Sequence, residues 1–235
     1  MQLIPITNLL LVLLPLILVG YFYYIWVDNG KEIIYPTVRM LVQLILVGYV
    51  LTYIFQADSW LLGTAIILFM VIVSSFIVLR NVAKKTITSY YKIFLAIMIG
   101  GSINLYLVIE FILEITPFYD PKFVIPIAGM LYANSMDGIS LAAERFEKEI
   151  KQNSYDIAKK IAFKTAMIPR INAFLAVGLV ALPGMMTGQI LSGIDPLIAV
   201  RYQIVVMAMI FSSAGISVIL YLHLLKPSIS IQKKS

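Results

Sequence analysis

Asn134 and Asp137 stand three residues apart in GMLYANSMDGISLA, and at helical pitch that spacing sets an amide and a carboxylate on one face. An acid several turns inside an apolar helix requires a cation, a proton or a basic partner. Asp137 therefore reads equally as an ion-binding group and as half of a structural ion pair. Gly129 and Ala133 nearby admit a close neighbouring helix. Further on, ALPGMMTGQILSGIDPLIAVRYQ (181–203) interrupts the apolar sequence with Pro183, Gly184, Gly188, Gly193 and Pro196, and carries Met185, Met186 and Gln189 inside the break. Oxygen ligands suit hard cations and thioethers suit softer ones, so a lining that mixes them binds a metal weakly. The expected path has Asn134 and Asp137 on one side and Met185, Met186 and Gln189 on the other, with Gln43 from an earlier run. Against this stand plainer readings: interhelical hydrogen bonds for the amides, including Asn104, Asn172 and Gln203, and packing for the methionines.

No catalytic centre emerges. The Gly30-Lys31 pair lacks the upstream glycine and the following hydroxyl of a phosphate-binding loop, so the chain is not expected to hydrolyse ATP itself. There is no cysteine, and the single His223 cannot build a histidine metal cluster, so no metal-ligand set is assigned. Glu110 and Glu114 read as an acidic helix end.

The elements that position these residues follow from hydropathy. With 61% hydrophobic residues, 13% charged residues and a mean hydropathy of +0.95, the 235-residue chain is far more apolar than a soluble domain. About 20 apolar residues cross a bilayer. By that measure there are about seven crossings, at 3–27, 36–55, 59–79, 90–113, 123–143, 171–190 and 196–225, in an all-α polytopic membrane protein of one domain, 1–235. Pro183 and Gly184 are expected to end the helix arriving from Ile171, and residues 56–58 to form a hairpin between the second and third crossings.

Cations collect in alternate loops. The first holds Lys31 and Arg39, the third Arg80, Lys84, Lys85 and Lys92, the fifth Arg145, Lys148, Lys151, Lys159, Lys160, Lys164 and Arg170, and the tail Lys226, Lys233 and Lys234. The other loops carry Asp58, then Glu110, Glu114, Asp120 and Lys122, then Asp195 and Arg201. The positive-inside rule then places the N-terminus outside and the C-terminus inside. The net charge of +6 reads as this topology signal rather than as affinity for nucleic acid. In the fifth loop an amphipathic helix is expected over 155–168, with Tyr155, Ile157, Ile161, Ala162, Thr165 and Ile168 on one stripe. Such a stripe lies on lipid headgroups or docks into a groove of a cytosolic partner.

These residues alone leave open a transport subunit, an ion-coupled carrier in which Asp137 bears the coupling proton, and a scaffold without transport. Four stretches add a resemblance: RMLVQLIL from Arg39, GMLYANSMDGISLA from Gly129, AMIPRINA from Ala166 and, most specifically, GLVALPGMMTGQILSGIDPLIAVRYQIVVM from Gly178. They resemble the permease subunits of Fet-type iron-export ABC transporters and are similar to plant aluminium-tolerance permeases. The resemblance implies a plasma-membrane (inner-membrane) permease for metal export. It further implies that the permease pairs with itself, binds no cofactor, and is driven by ATP hydrolysed on a separately encoded cytosolic ATPase subunit. In that setting the 155–168 helix becomes the expected ATPase contact.

Overall fold

The computed structural model describes residues 5–56 and 59–232. Asp58, Lys233 and Lys234 of the loop assignment, the first residues of the 3–27 run and most of the 56–58 hairpin lie outside them. The chain divides into two units, Met1–Ala57 and Asp58–Ser235.

The first unit holds α1 (Ile6–Leu10), α2 (Leu13–Val27) and α3 (Lys31–Ile54). Asp28, in the left-handed conformation at φ 53°, closes α2, and the Tyr23 hydroxyl donates to Glu32 Oε2 at 2.6 Å. Helix α3 starts five residues ahead of the expected boundary. Pro36 forfeits a single bond to the Glu32 carbonyl without ending the helix, so Lys31 and Arg39 are helical residues and the first loop shrinks to 28–30. Among the described residues nothing on α2 and only Ile54 on α3 is buried, so this unit presents long apolar helices without a core of its own.

The second unit is a helical bundle. Ser59 caps α4 (Trp60–Leu79), accepting from the Leu62 amide, and Thr86 caps α5 (Ile87–Tyr106) in the same way through Ser89. Helix α5 continues as a π turn, Leu107–Ile112, closed by the Leu113 amide on the Val108 carbonyl. Asp120 and Pro121 start α6 (Pro121–Glu149), and α7 (Tyr155–Ala176), α8 (Gly184–Leu191) and α9 (Pro196–Gln232) follow. Small residues let α5, α6 and α9 approach closely. Gly100 lies against Ser217 and Gly138 against Val218, and a buried hydroxyl ladder joins α6 to α9. In it Ser217 donates to Ser135, Ser135 and Ser213 share a 2.7 Å bond, and Ser213 donates to the Leu131 carbonyl at 3.0 Å.

Five stretches among the described residues are long and apolar enough to cross a membrane: Thr7–Val27, Lys31–Ile54, Trp60–Leu79, Ile87–Ile112 and Pro196–Lys226. Helix α6 spans about 43 Å at 1.5 Å per residue, with Asp137 and its charged C-terminal end diluting its hydropathy. The expected crossing at 171–190 is not one helix. Pro169 is absorbed inside α7, which runs unbroken from Tyr155 through the anticipated boundary to Ala176. The break comes seven residues before Pro183: Gly178 takes φ +82°, and the amides of Leu179, Val180 and Ala181 converge on the Ala176 carbonyl. Only glycine adopts that φ without strain. Pro183 caps α8 instead of ending α7, and α8 is about 12 Å long, too short to cross alone.

Contacts gather the basic segments of this unit at one end. Glu147 Oε1 accepts from the Ala83 amide at 2.7 Å, the Tyr155 hydroxyl donates to the Leu222 carbonyl at 2.6 Å, and the Phe146 and Tyr155 rings meet edge to face. Lys84, Lys85, Lys148, Lys159 and Lys226 therefore share that end.

Candidate functional site

Helix α7 lies on α6 through an alanine seam. Ala158, Ala162 and Ala166, spaced four apart, are fully buried, and the next position in that register is Arg170. Its side chain is 7% exposed, and one Nη donates to the Asn134 carbonyl of α6 at 2.8 Å. The nearest Asp137 oxygen is 3.8 Å away, an ion pair without a direct hydrogen bond. Asp137 keeps 60% of its side-chain surface open, while the Asn134 side-chain amide donates to the Met130 carbonyl at 2.8 Å. These groups line a cavity of about 340 Å³ walled by Pro169, Phe174 and Phe211, whose two rings stack at 4.9 Å.

A second cavity of about 560 Å³ stands beside α8 and holds Met130, Met185, Gln189, Pro126, Lys122 and Tyr202. Pro126, Met130, Asn134 and Asp137 fall on one stripe of α6, so the two cavities follow one another along a single helix face. The soft thioethers sit toward the N-terminal end of α6 and the carboxylate nearer its middle. The Gln189 Oε1 atom is buried with no donor among the described residues.

The residues of the expected path fall in different places. Asn134 and Asp137 share a cavity with each other but not with Met185 and Gln189, and Met186, though half-buried, lines neither cavity. Gln43 lies exposed on α3 in the other unit. Asn104 turns back on the Gly100 carbonyl and serves packing. Glu110 sits in the π turn, lining a third cavity of about 240 Å³ with Trp60, Tyr106 and Tyr119, rather than on a plain acidic helix end. Among the described residues no cluster of three or more His, Cys, Asp or Glu could hold a metal ion.

Arg170 was counted as a loop cation, and its role at the site was missed. The signal was the four-residue register Ala158, Ala162, Ala166, Arg170, which continues across Pro169. The same register corrects the amphipathic stripe. Ala162 belongs to the buried seam and Tyr155 is half-buried at the helix start, whereas Ile157 and Ile168 are 49% and 46% exposed and Ile161 is half-buried between them. The lysines flank this outer face, with Lys159 paired to Asp156 at 3.2 Å.

Polar groups strung along one face of a helix in an apolar bundle suit a membrane permease, and one related protein carries that word in its name. "Probable iron export permease protein FetB" of Escherichia coli is 33% identical over 210 residues, covering 83% of this chain and 80% of the relative. "UPF0014 membrane protein YjkA" of Bacillus subtilis is 34% identical across 85% of this chain and 84% of its own length. "Protein ALUMINUM SENSITIVE 3" of Arabidopsis thaliana is 32% identical across 95% and 85%. No solved structure is significantly similar. The profile of one family matches residues 6–163 and 155–229, and the chain accordingly belongs to the uncharacterised protein family UPF0014.

Proposed function

We propose that the full chain, 1–235, is the permease subunit of a metal-exporting ABC transporter in the plasma membrane, passing ferrous iron. It works as a homodimer driven by a separately encoded cytosolic ATPase, which hydrolyses the ATP. Its basic end faces the cytosol and its N-terminus the outside, as the positive-inside rule requires. The relative named for iron export supports the cargo, and the low-affinity order of groups along α6 suits it: a thioether-lined cavity, then an amide and a carboxylate.

The observation that carries the mechanism is the continuity of α7. Its outer apolar face, Ile157, Ile161 and Ile168, stands on the same rigid helix as Arg170, about 14 Å along the axis from Ile161. Closure of the ATPase against that face displaces the helix, and the displacement reaches Asn134 and Asp137 through Arg170 without crossing a loop. The bundle then alternates between inward-open and outward-open states, a rigid-body switch rather than a fixed pore. Ile161→Glu places a charge on the docking face and is expected to abolish co-purification of the ATPase while the permease remains in the membrane at normal level. Unchanged co-purification would return α7 to a lipid-surface role.

A further inference from the structure

We propose that the α6–α7 cavity takes its metal together with an oxyanion, Asp137 engaging the metal and Arg170 the oxyanion. The proposal rests on the export reading above and concerns the form in which the cargo travels. Charge is the first argument. Asp137 and Arg170 together are neutral, so a bare divalent cation would leave two uncompensated charges beside an arginine that is itself buried, where unpaired charge is costly. A metal accompanied by an oxyanion restores the balance.

Donor count is the second argument. A guanidinium carries five N–H groups and no acceptor. That of Arg170 satisfies the Asn134 carbonyl, stands beyond hydrogen-bond distance from Asp137, and has a buried Nε–H without an acceptor among the described residues. It has donors to spare, in a planar fork that fits carboxylate or phosphate. Coordination is the third. A hard divalent ion takes about six oxygens, and this cavity supplies the Asp137 carboxylate and the Asn134 amide oxygen. A co-ligand fills the remainder. The volume of about 340 Å³ exceeds that of a lone ion, since a water molecule takes about 30 Å³.

The test is equilibrium binding of Mn²⁺, followed by its spin resonance, to the purified full-length chain in lipid nanodiscs, at matched free Mn²⁺ with no added anion, with inorganic phosphate or with citrate. At least one anion is expected to tighten Mn²⁺ binding about tenfold, and which one does so separates a phosphate from a carboxylate companion. Asp137→Asn should lose binding under all conditions. Arg170→Gln should bind Mn²⁺ at least as tightly as wild type without anion, yet lose the enhancement; Arg170→Lys keeps the charge without the fork and should retain only part of it. An anion-independent affinity in wild type, or full enhancement in Arg170→Gln, overturns the proposal. Because the wild-type arm decides alone, poor assembly of a variant leaves it testable. Binding that ignores Asp137→Asn would instead refute the export site itself.

Discussion

Gly100→Ala tests the close seam between α5 and α9. A methyl group built at Gly100 falls against the Ser217 hydroxyl and lies 2.8 Å from the Ser217 nitrogen and 3.1 Å from its Cα. Two of these atoms are backbone, so a rotamer change cannot relieve the clash and α9 must shift from α5. Overpacking of this kind costs about 1–3 kcal/mol. The shift also pulls Ser217 from Ser135, and interhelical hydrogen bonds in membrane proteins contribute roughly 0.6 kcal/mol each, giving about 2–4 kcal/mol in all. Gly129 is the control: the nearest atom to its added methyl is Met70 Cε at 4.0 Å, so Gly129→Ala gains helix propensity of up to about 1 kcal/mol without collision. Heating the detergent-solubilised variants and following the folded fraction by size-exclusion chromatography should lower the midpoint by several degrees for Gly100→Ala and leave or raise it for Gly129→Ala. Adding Ser217→Gly should rescue only in part, because the backbone contacts remain. Equal midpoints for the two alanine variants would refute this account of the α5–α9 seam.

Two further outcomes are expected. In this cysteine-free chain, a membrane-impermeant thiol reagent applied to intact cells should label Lys122→Cys and spare Lys85→Cys, and the opposite pattern would invert the topology. At matched expression, Asp137→Asn should sharply reduce metal-stimulated ATPase activity of the assembled transporter, Met185→Leu should reduce it modestly, and Met186→Leu should leave it unchanged, since Met186 lines neither cavity. Full stimulation in Asp137→Asn and Met185→Leu alike would leave those side chains as packing.

The bundle was legible where local chemistry decides it. Uninterrupted apolar runs mark the bodies of α4, α5 and α6 and the expected start at Ser59 holds, while Thr86 and the Asp120-Pro121 pair begin α5 and α6 three and two residues ahead of the expected runs at 90 and 123. Asn134 and Asp137 share a cavity, as their three-residue spacing requires. What escaped was tertiary. The amphipathic helix was expected to end at Ile168 and a crossing to begin at Ile171, yet the packing of Ala158, Ala162 and Ala166 on α6 carries one helix, α7, across Pro169 and brings Arg170 into the site. The position of the helix break turned on Gly178 rather than on the more conspicuous Pro183-Gly184. The separation of the methionine cavity from the carboxylate cavity depends on how α8 folds back beside α6, which no spacing within either segment encodes.

The polarity of α7 also bears on how the protein is made. On the scale that governs insertion by the translocation machinery, an arginine or lysine near the centre of a helix costs about 2.5–3.5 kcal/mol, and α7 carries Lys159, Lys160, Lys164 and Arg170. It does not enter the bilayer on its own hydropathy, as α2 or α4 does. Its alanine seam can settle on α6 as soon as both have been synthesised, but the Tyr155 hydroxyl finds its acceptor only when Leu222 emerges near the C-terminus. The Tyr155 end of α7 is therefore secured only once α9 has been made, and a chain truncated before Leu222 would leave that hydroxyl without its acceptor.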